Sequence, residues 1–535
     1  MKSSMYDVLI IGGGPAGVTA ALRARELGAN VALVERGRLG GTCTNDGCVP
    51  TRVLAHAARL MRETAQHDAY GLMGERPQLD FARLMKRTQQ VVYTIHEKKQ
   101  MLKHLQSSGV TAYVGAGNAR FVDDHTIELG DGRQFSARRF ILCVGGHARR
   151  LPFPGAELTL NHGDLWNLRQ LPRRLAVVGG AATGCQMASI MNTFGAQVTL
   201  LDVAPHILPI EDAAVTEALT QAFTERGITI VSGMSGVERV EKTADGLKLT
   251  YKKDDALHEL AVDAVIVAVG WPGNVDDLNL DAVGVKTERN YIAVDDALRT
   301  TAPHIFAAGD INGRMMLVQS AGYEARIAAE NAVAGDDDDL SDYCAQIVPH
   351  GGFTDPEYGS VGLTEKAARE AGHDVVIALA SYVNMDRAVI DGQTEGFCKL
   401  VVDRQSHHIL GGHVVGEQAV EIVQLIAAAM SAGSSVESLA TLELSYPTYV
   451  AIVGLAARRA VHYLGLMKLA PEFREWGRTM PPSGSGVTRR RPRPRRSRRA
   501  PTVRNGWRAL WGELGRPADR FVTIRRRSSA TMGSL

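Results

Sequence analysis

Tyr6-Asp7-Val8-Leu9-Ile10-Ile11-Gly12-Gly13-Gly14-Pro15-Ala16-Gly17 is the stretch on which the fold turns. A short apolar run of buried-strand character ends in a glycine cluster. Residues 15–27 then read as a helix, and 30–35 as a second strand closing on Glu35. Gly12 permits a tight turn, Gly14 lets the backbone approach a pyrophosphate, and Gly17 lets helix and strand pack closely. The helix N-terminus offers unpaired N–H groups to the phosphates, and Glu35 is placed to accept hydrogen bonds from a ribose. A glycine-rich turn without a ligand is the plain alternative. The two strands, the helix and the acid in register argue against it.

The same order recurs at 174–178, 183–194 and 197–202, around Gly179-Gly180-Ala181-Ala182-Thr183-Gly184. Here Ala181 stands where the middle glycine is expected, so its methyl should crowd a pyrophosphate slightly. Asp202 ends this unit's second strand. Two such units imply two dinucleotide sites, each in a mostly parallel sheet. Residues 55–106 between them have helical periodicity. From 347 to about 470 strands are followed by helices, the α+β order of a separate domain.

The 535 residues are too many for one core and carry a net charge of +2. That near-balance hides an asymmetry. Residues 483–535 hold 15 Arg and no Lys against Glu513 and Asp519, a net of +13, which leaves the first 482 residues at −11. The basic tail reads as a solvated extension, and nucleic-acid binding through it is the rival reading. Residues 481–486 read as a linker and Asp336 to Asp339 as a solvated boundary. No run approaches a membrane span and no secretory signal is evident, so a cytoplasmic protein is expected. Six cysteines are too few for a disulfide scaffold.

Two of those cysteines stand together in Gly40-Gly41-Thr42-Cys43-Thr44-Asn45-Asp46-Gly47-Cys48-Val49-Pro50-Thr51-Arg52. Their spacing suits a bridge across one distorted helical turn. A zinc site would need a second ligand pair that the sequence does not supply, so no metal site is expected. A thiolate at a helix N-terminus has a lowered pKa and is available as nucleophile or electron donor.

This segment resembles the active-site disulfide of class I pyridine nucleotide-disulfide oxidoreductases, the family of dihydrolipoamide dehydrogenase, glutathione reductase and mercuric reductase. The resemblance covers about 470 residues. It implies an α/β protein with two doubly wound, Rossmann-like dinucleotide-binding domains plus an α+β dimerisation domain, working as a homodimer. An FAD-binding domain is expected over 1–155 with a second part over 276–340, a nicotinamide-nucleotide domain over 156–275, the dimerisation domain over 345–470, and the Arg-rich tail over 481–535. NADH would reduce FAD, FAD would reduce the Cys43–Cys48 disulfide through Cys48, and Cys43 would face the substrate. Gly12, Gly14, Gly17 and Glu35 would hold FAD, joined by Gly309 and Asp310 of Phe306-Ala307-Ala308-Gly309-Asp310. Gly145 and Gly270 would lie in the connectors Cys143-Val144-Gly145-Gly146 and Val269-Gly270-Trp271-Pro272. Gly179, Gly184, Gln186 and Asp202 would serve the nicotinamide nucleotide. Because Asp202 accepts from a free 2′-hydroxyl and repels a 2′-phosphate, NAD(H) is favoured over NADP(H).

Several positions depart from the family pattern. Thr51-Arg52 stands for Ser-Lys, and Gln186 for the glutamate that pairs with that lysine. An Arg52–Gln186 contact is expected, with the cation left uncompensated. The interface dyad His-Pro-Thr-x-x-Glu reads Tyr446-Pro447-Thr448-Tyr449-Val450-Ala451. A tyrosine, titrating near 10, cannot replace an imidazole base at neutral pH; His462 is the sequence-local substitute. Mercuric reductases also carry tyrosine here, yet the cysteine pair they have near the C-terminus is missing. Cys143, Cys185, Cys344 and Cys398 read as packing residues. The expected activity is reduction of a disulfide, a small-molecule or protein substrate, or of a thiophilic oxidant such as Hg(II). A quinone reduced at the flavin and an orthodox dihydrolipoamide dehydrogenase are the enzyme alternatives.

Overall fold

Tyr6–Ile11, Val31–Glu35 and Thr111–Val114 pair in parallel, and Tyr6–Ile11 is flanked on its other side by Gln134–Leu142, also parallel. The structure, a computed structural model, describes residues 5–335, 340–343 and 347–466. The acidic run 336–339, Cys344 and the Arg-rich tail lie outside the described residues.

The first strand is apolar throughout because both faces of its sheet are covered. Val8 and Ile10 pack with the helix Pro15–Glu26 on one side, whereas Leu9 and Ile11 join Phe140, Leu142 and Ile305 on the other. An antiparallel meander, Ala119–Asp123 and Thr126–Leu129, extends the sheet, and Ile305–Ala307 pairs in parallel with Gln134–Leu142. Ile11 is opposite Leu142, and Leu142 is opposite Ala307. The chain segments leaving these three strands, at Gly12, Cys143 and Ala308, therefore share one carboxyl edge.

The second unit repeats this logic. Its parallel sheet runs Ala264–Val267, Arg174–Val178, Gln197–Leu201, Thr229–Val231. Leu175 and Val177 face one core cluster, and Ala176 and Val178 the other. A three-stranded antiparallel sheet, Gly236–Thr243, Gly246–Lys253 and Ala256–Val262, covers it. The C-terminal unit is an antiparallel sheet of five strands in the order His350–Gly352, Tyr358–Gly362, Ile409–Gly416, Gly396–Asp403, Val375–Ser381. Helices Ala419–Ser431 and Ala451–Tyr463 lie against it. The 55–106 region is three helices: Cys48–Thr64, Phe81–Lys99 and Met101–Ser107. Among the described residues no helix is long and apolar enough to cross a membrane.

A buried ion cluster ties the second unit to the C-terminal unit. Lys399, 6% exposed, donates to Asp212 Oδ1 at 2.8 Å and to Glu365 Oε2 at 2.9 Å. Asp212 also caps the helix Ala213–Glu225 by accepting from Ala214 N. Removing one partner of such a cluster leaves an uncompensated buried charge. Lys399→Met is therefore expected to cost about 3–5 kcal/mol, read as an earlier urea midpoint. An unchanged midpoint would show that the cluster is not stabilising.

Candidate functional site

The first glycine loop is built by backbone contact. Gly12 has φ +106°, and a Cβ there would lie 2.3 Å from the Cys143 carbonyl oxygen; a Cβ at Gly17 would lie 1.8 Å from the Gly12 carbonyl. Gly14 needs no special dihedral (φ −73°, ψ −175°), so its missing side chain leaves space rather than conformational freedom. Glu35 accepts from Gly13 N at 2.6 Å and from Gly37 N at 2.8 Å, which fixes the carboxylate at the loop. At the same edge Gly309 (φ +83°) faces Ala16 and Ala321, and its N–H is taken by the buried Glu324 at 2.7 Å. Asp310 accepts from Trp271 Nε1 at 3.0 Å, and burial raises its proton affinity. Glycines that no side chain could replace, an acid fixed at the loop and a buried acid on the same edge together fit a bound FAD.

The second loop has the same construction. Gly179 has φ +109° against the Ala268 carbonyl, and a Cβ at Gly184 would lie 1.7 Å from the Gly179 carbonyl. Asp202 accepts from Gly180 N and, at 2.7 Å, from Ala204 N. Ala181 takes φ −82° and ψ −174°, the conformation of Gly14, and is exposed. Its methyl thus costs the backbone nothing.

Cys43 lies in the short helix Gly41–Asn45, and Cys48 opens the helix Cys48–Thr64 after a break at Asp46-Gly47. Both are free thiols, Cys43 partly buried and Cys48 exposed, and their side chains hydrogen-bond to each other. That bond first, and the Lys99 ammonium after it, bring Cys43 down to about 7 against the effect of burial. The same bond and the neighbouring charge of Cys43 push Cys48 up. The pair gives up one proton easily and holds the second. Asp310 acts electrostatically on both cysteines, so the dithiol and this carboxylate occupy one site.

The expected Arg52–Gln186 contact is not formed. Arg52 stacks its guanidinium 3.2 Å from the Phe353 ring centroid, and Gln186 turns to Phe353 N at 3.2 Å and the Ala182 carbonyl at 3.1 Å. Nor is the cation uncompensated. Glu357 and Glu421 of the C-terminal unit supply the opposing charge. Burial, with Glu417 nearby, pushes Glu357 up to about 7 in spite of Arg52, Arg59 and Arg62. The planar guanidinium can lie flat on an aromatic face, a stacking geometry that a lysine ammonium lacks.

Tyr446 is 76% exposed and bonds Asp386 through its hydroxyl. His462 lies beside Tyr463, the rings tilted at 50°, at the exposed end of Ala451–Tyr463. Cys143, Cys185 and Cys398 are buried, and burial raises each thiol, Cys398 to about 12. Sequence reasoning passed over Glu324, Glu357 and Trp271 as site residues, because each reaches the site from an element distant in the chain.

Comparison with known proteins agrees with this geometry. The profile of the pyridine nucleotide-disulphide oxidoreductase family matches residues 6–325, and the profile of that family's dimerisation domain matches 348–457. The chain belongs to this family. It is an FAD-dependent enzyme using a pyridine nucleotide. A dihydrolipoyl dehydrogenase of Zymomonas mobilis is 34% identical over 78% of this chain and 90% of its own length. A mercuric reductase of Lysinibacillus sphaericus is 32% identical over 84% and 82% respectively. Among solved structures, the HOCl-induced flavoprotein disulfide reductase of Escherichia coli superposes with a TM-score of 0.75 at 26% identity, covering 85% of this chain and 99% of that one; a Cu(II) complex of it superposes equally well.

In the reduced, FAD-loaded oxidoreductase, iodoacetamide is expected to modify Cys43 with a rate rising through pH about 7, while Cys143, Cys185 and Cys398 stay protected until unfolding. Peptide mass mapping checks this. Labelling that began only above pH 9 would contradict the lowered thiol.

Proposed function

We propose that this oxidoreductase uses NADH to reduce a thiophilic or disulfide acceptor through Cys43 and Cys48, and that it is a poor dihydrolipoyl dehydrogenase. Gly12, Gly14, Gly17, Glu35, Gly145, Gly309 and Asp310 hold FAD, with Gly270 in the second connector. Bound FAD supplies a two-electron carrier between nicotinamide and dithiol. Cys48 is the thiol that faces it, Cys43 is the thiol that meets the acceptor, and Arg52 places a fixed cation beside the site. The dimerisation domain supports a homodimer.

The observation that carries the substrate reading is the pair Tyr446 and Ala451. Dithiol oxidation needs a base to take the thiol proton, a service worth roughly 10²–10⁴ in rate. Tyr446 has its hydroxyl held by Asp386, which raises its pKa further from neutrality, and Ala451 has no carboxylate to orient an imidazole. A mercuric reductase at 32% identity and a Cu(II) complex of a structural relative add weight to a soft metal ion as acceptor.

The test is stopped-flow reoxidation of the NADH-reduced enzyme by Hg(II), Cu(II), small disulfides and quinones, beside NAD-dependent dihydrolipoamide oxidation. Fast reoxidation by a thiophilic metal or disulfide, lost in Cys43→Ser, is expected. Cys48→Ser should keep FAD but lose the long-wavelength thiolate–flavin band of the reduced enzyme. Family-typical dihydrolipoamide turnover, or quinone reduction untouched by either cysteine variant, would overturn the reading.

Gly179, Gly184, Gln186 and Asp202 serve the nicotinamide nucleotide. With both Asp202 oxygens already turned to backbone donors at the strand end, a 2′-phosphate would meet a fixed negative charge. NADH should give the higher kcat/KM, and Asp202→Ala should weaken NADH use and narrow the preference. A wild-type enzyme preferring NADPH would contradict the assignment.

A further inference from the structure

A titratable pair beside the dithiol has no part in the scheme so far. Asp46 lies in the loop between the cysteines, and its carbonyl accepts from Trp166 Nε1 at 2.7 Å. Its carboxylate turns toward the segment that carries His162, since a Cβ at Gly163 would lie 3.4 Å from Asp46 Oδ2. His162 stands edge-on to Trp271, with centroids 5.1 Å apart, and Trp271 in turn donates to Asp310. Residues from four separate segments thus gather between the dithiol loop and Asp310. Among them His162 Nε2 is buried and has no hydrogen-bond partner.

The charged groups facing His162 are Asp46 from the dithiol loop and Asp164 from its own turn. Both favour the imidazolium, but burial opposes it and is the larger effect. Burial likewise raises the proton affinity of Asp46 against the influence of His162. Acid and base are driven toward each other, the condition under which a small change of nearby charge moves a proton.

We propose that the His162–Asp46 pair is a redox-linked proton site, taking up one proton when the Cys43–Cys48 disulfide is reduced and releasing it when the dithiol is reoxidised. The proposal rests on the reading of these cysteines as the redox-active pair. Reduction breaks the S–S bond with two electrons originating on NADH and one proton, leaving Cys43 and Cys48 as one thiol and one thiolate. The site gains one negative charge, and a second proton from solvent joins the pair. On reoxidation the S–S bond reforms, two electrons pass to the acceptor, and two protons leave with a disulfide acceptor, which becomes a dithiol, or go to solvent when the acceptor is a metal ion. This places in one chain a proton that the family's interface dyad would otherwise handle.

The experiment is a potentiometric titration of the dithiol–disulfide couple in the FAD-loaded enzyme from pH 5 to 9, for wild type, His162→Gln and Asp46→Asn. Each proton coupled to a two-electron couple changes the equilibrium tenfold per pH unit, or about 30 mV. Wild type should show an interval in which its slope exceeds that of His162→Gln by about 30 mV per pH unit. Ionisation of Cys43 is common to both and cancels. In Asp46→Asn that interval should move to lower pH, because an anion favouring the imidazolium has been removed. Identical slopes in wild type and His162→Gln throughout would overturn the proposal. Should His162→Gln lose FAD, an interval unmoved in Asp46→Asn overturns it instead. Failure of the underlying reading shows separately, as a wild-type enzyme that takes up no more electrons per FAD than Cys48→Ser.

Discussion

The approach of one backbone to another at Gly12–Gly17 and Gly179–Gly184 is the constraint on which the rest of the molecule depends. A helix can follow its strand so closely only where the Cα hydrogens of Gly17 and Gly184 lie against the carbonyls of Gly12 and Gly179. That spacing aims each helix N-terminus at the carboxyl edge of its sheet. Parallel pairing then brings the chain after Leu142 and after Ala307 to the same edge, so Gly145, Gly309 and Asp310 arrive there from distant parts of the sequence. An alanine at position 17 or 184 would have to push the helix away, and the edge would lose its alignment.

Charge completes what the glycines begin. The helix that opens on Cys48 carries Arg52, Arg59 and Arg62, and the C-terminal unit answers with Asp355, Glu357, Glu417 and Glu421. Arg62 and Arg226 both meet Asp355, while Arg59 meets Glu417. The dithiol helix is thus held from the side of the dimerisation domain, and the electrostatics of Arg52 belong to that domain rather than to Gln186. Arg52 thus takes its counter-charge from the C-terminal unit.

Much of this was legible in the chain. The strands at 6–11 and 174–178 are found where the apolar runs placed them, because a strand buried on both faces leaves a continuous hydrophobic signature. The cysteine pair and both acids at strand ends were legible for the same reason: each stands at a fixed distance from a glycine turn. The Arg52 contact was misread because its true partners, Phe353 and Glu357, are some 300 positions away, beyond any local pattern. Asp46 and His162 carry no local signature at all; an isolated acid and an isolated histidine become a pair only when the 156–172 segment folds over the dithiol loop.

The sequence by itself determined the two glycine turns, the cysteine pair and the family, since these follow from residue type at short spacing. Tertiary structure alone decided which charges face Arg52, how Asp310 comes to act on the cysteines, and that His162 is left with a buried, unpaired nitrogen. The division has a physical cause. Backbone geometry and helix periodicity are set within a few residues, whereas burial and electrostatic environment are sums over neighbours that the whole fold must first assemble.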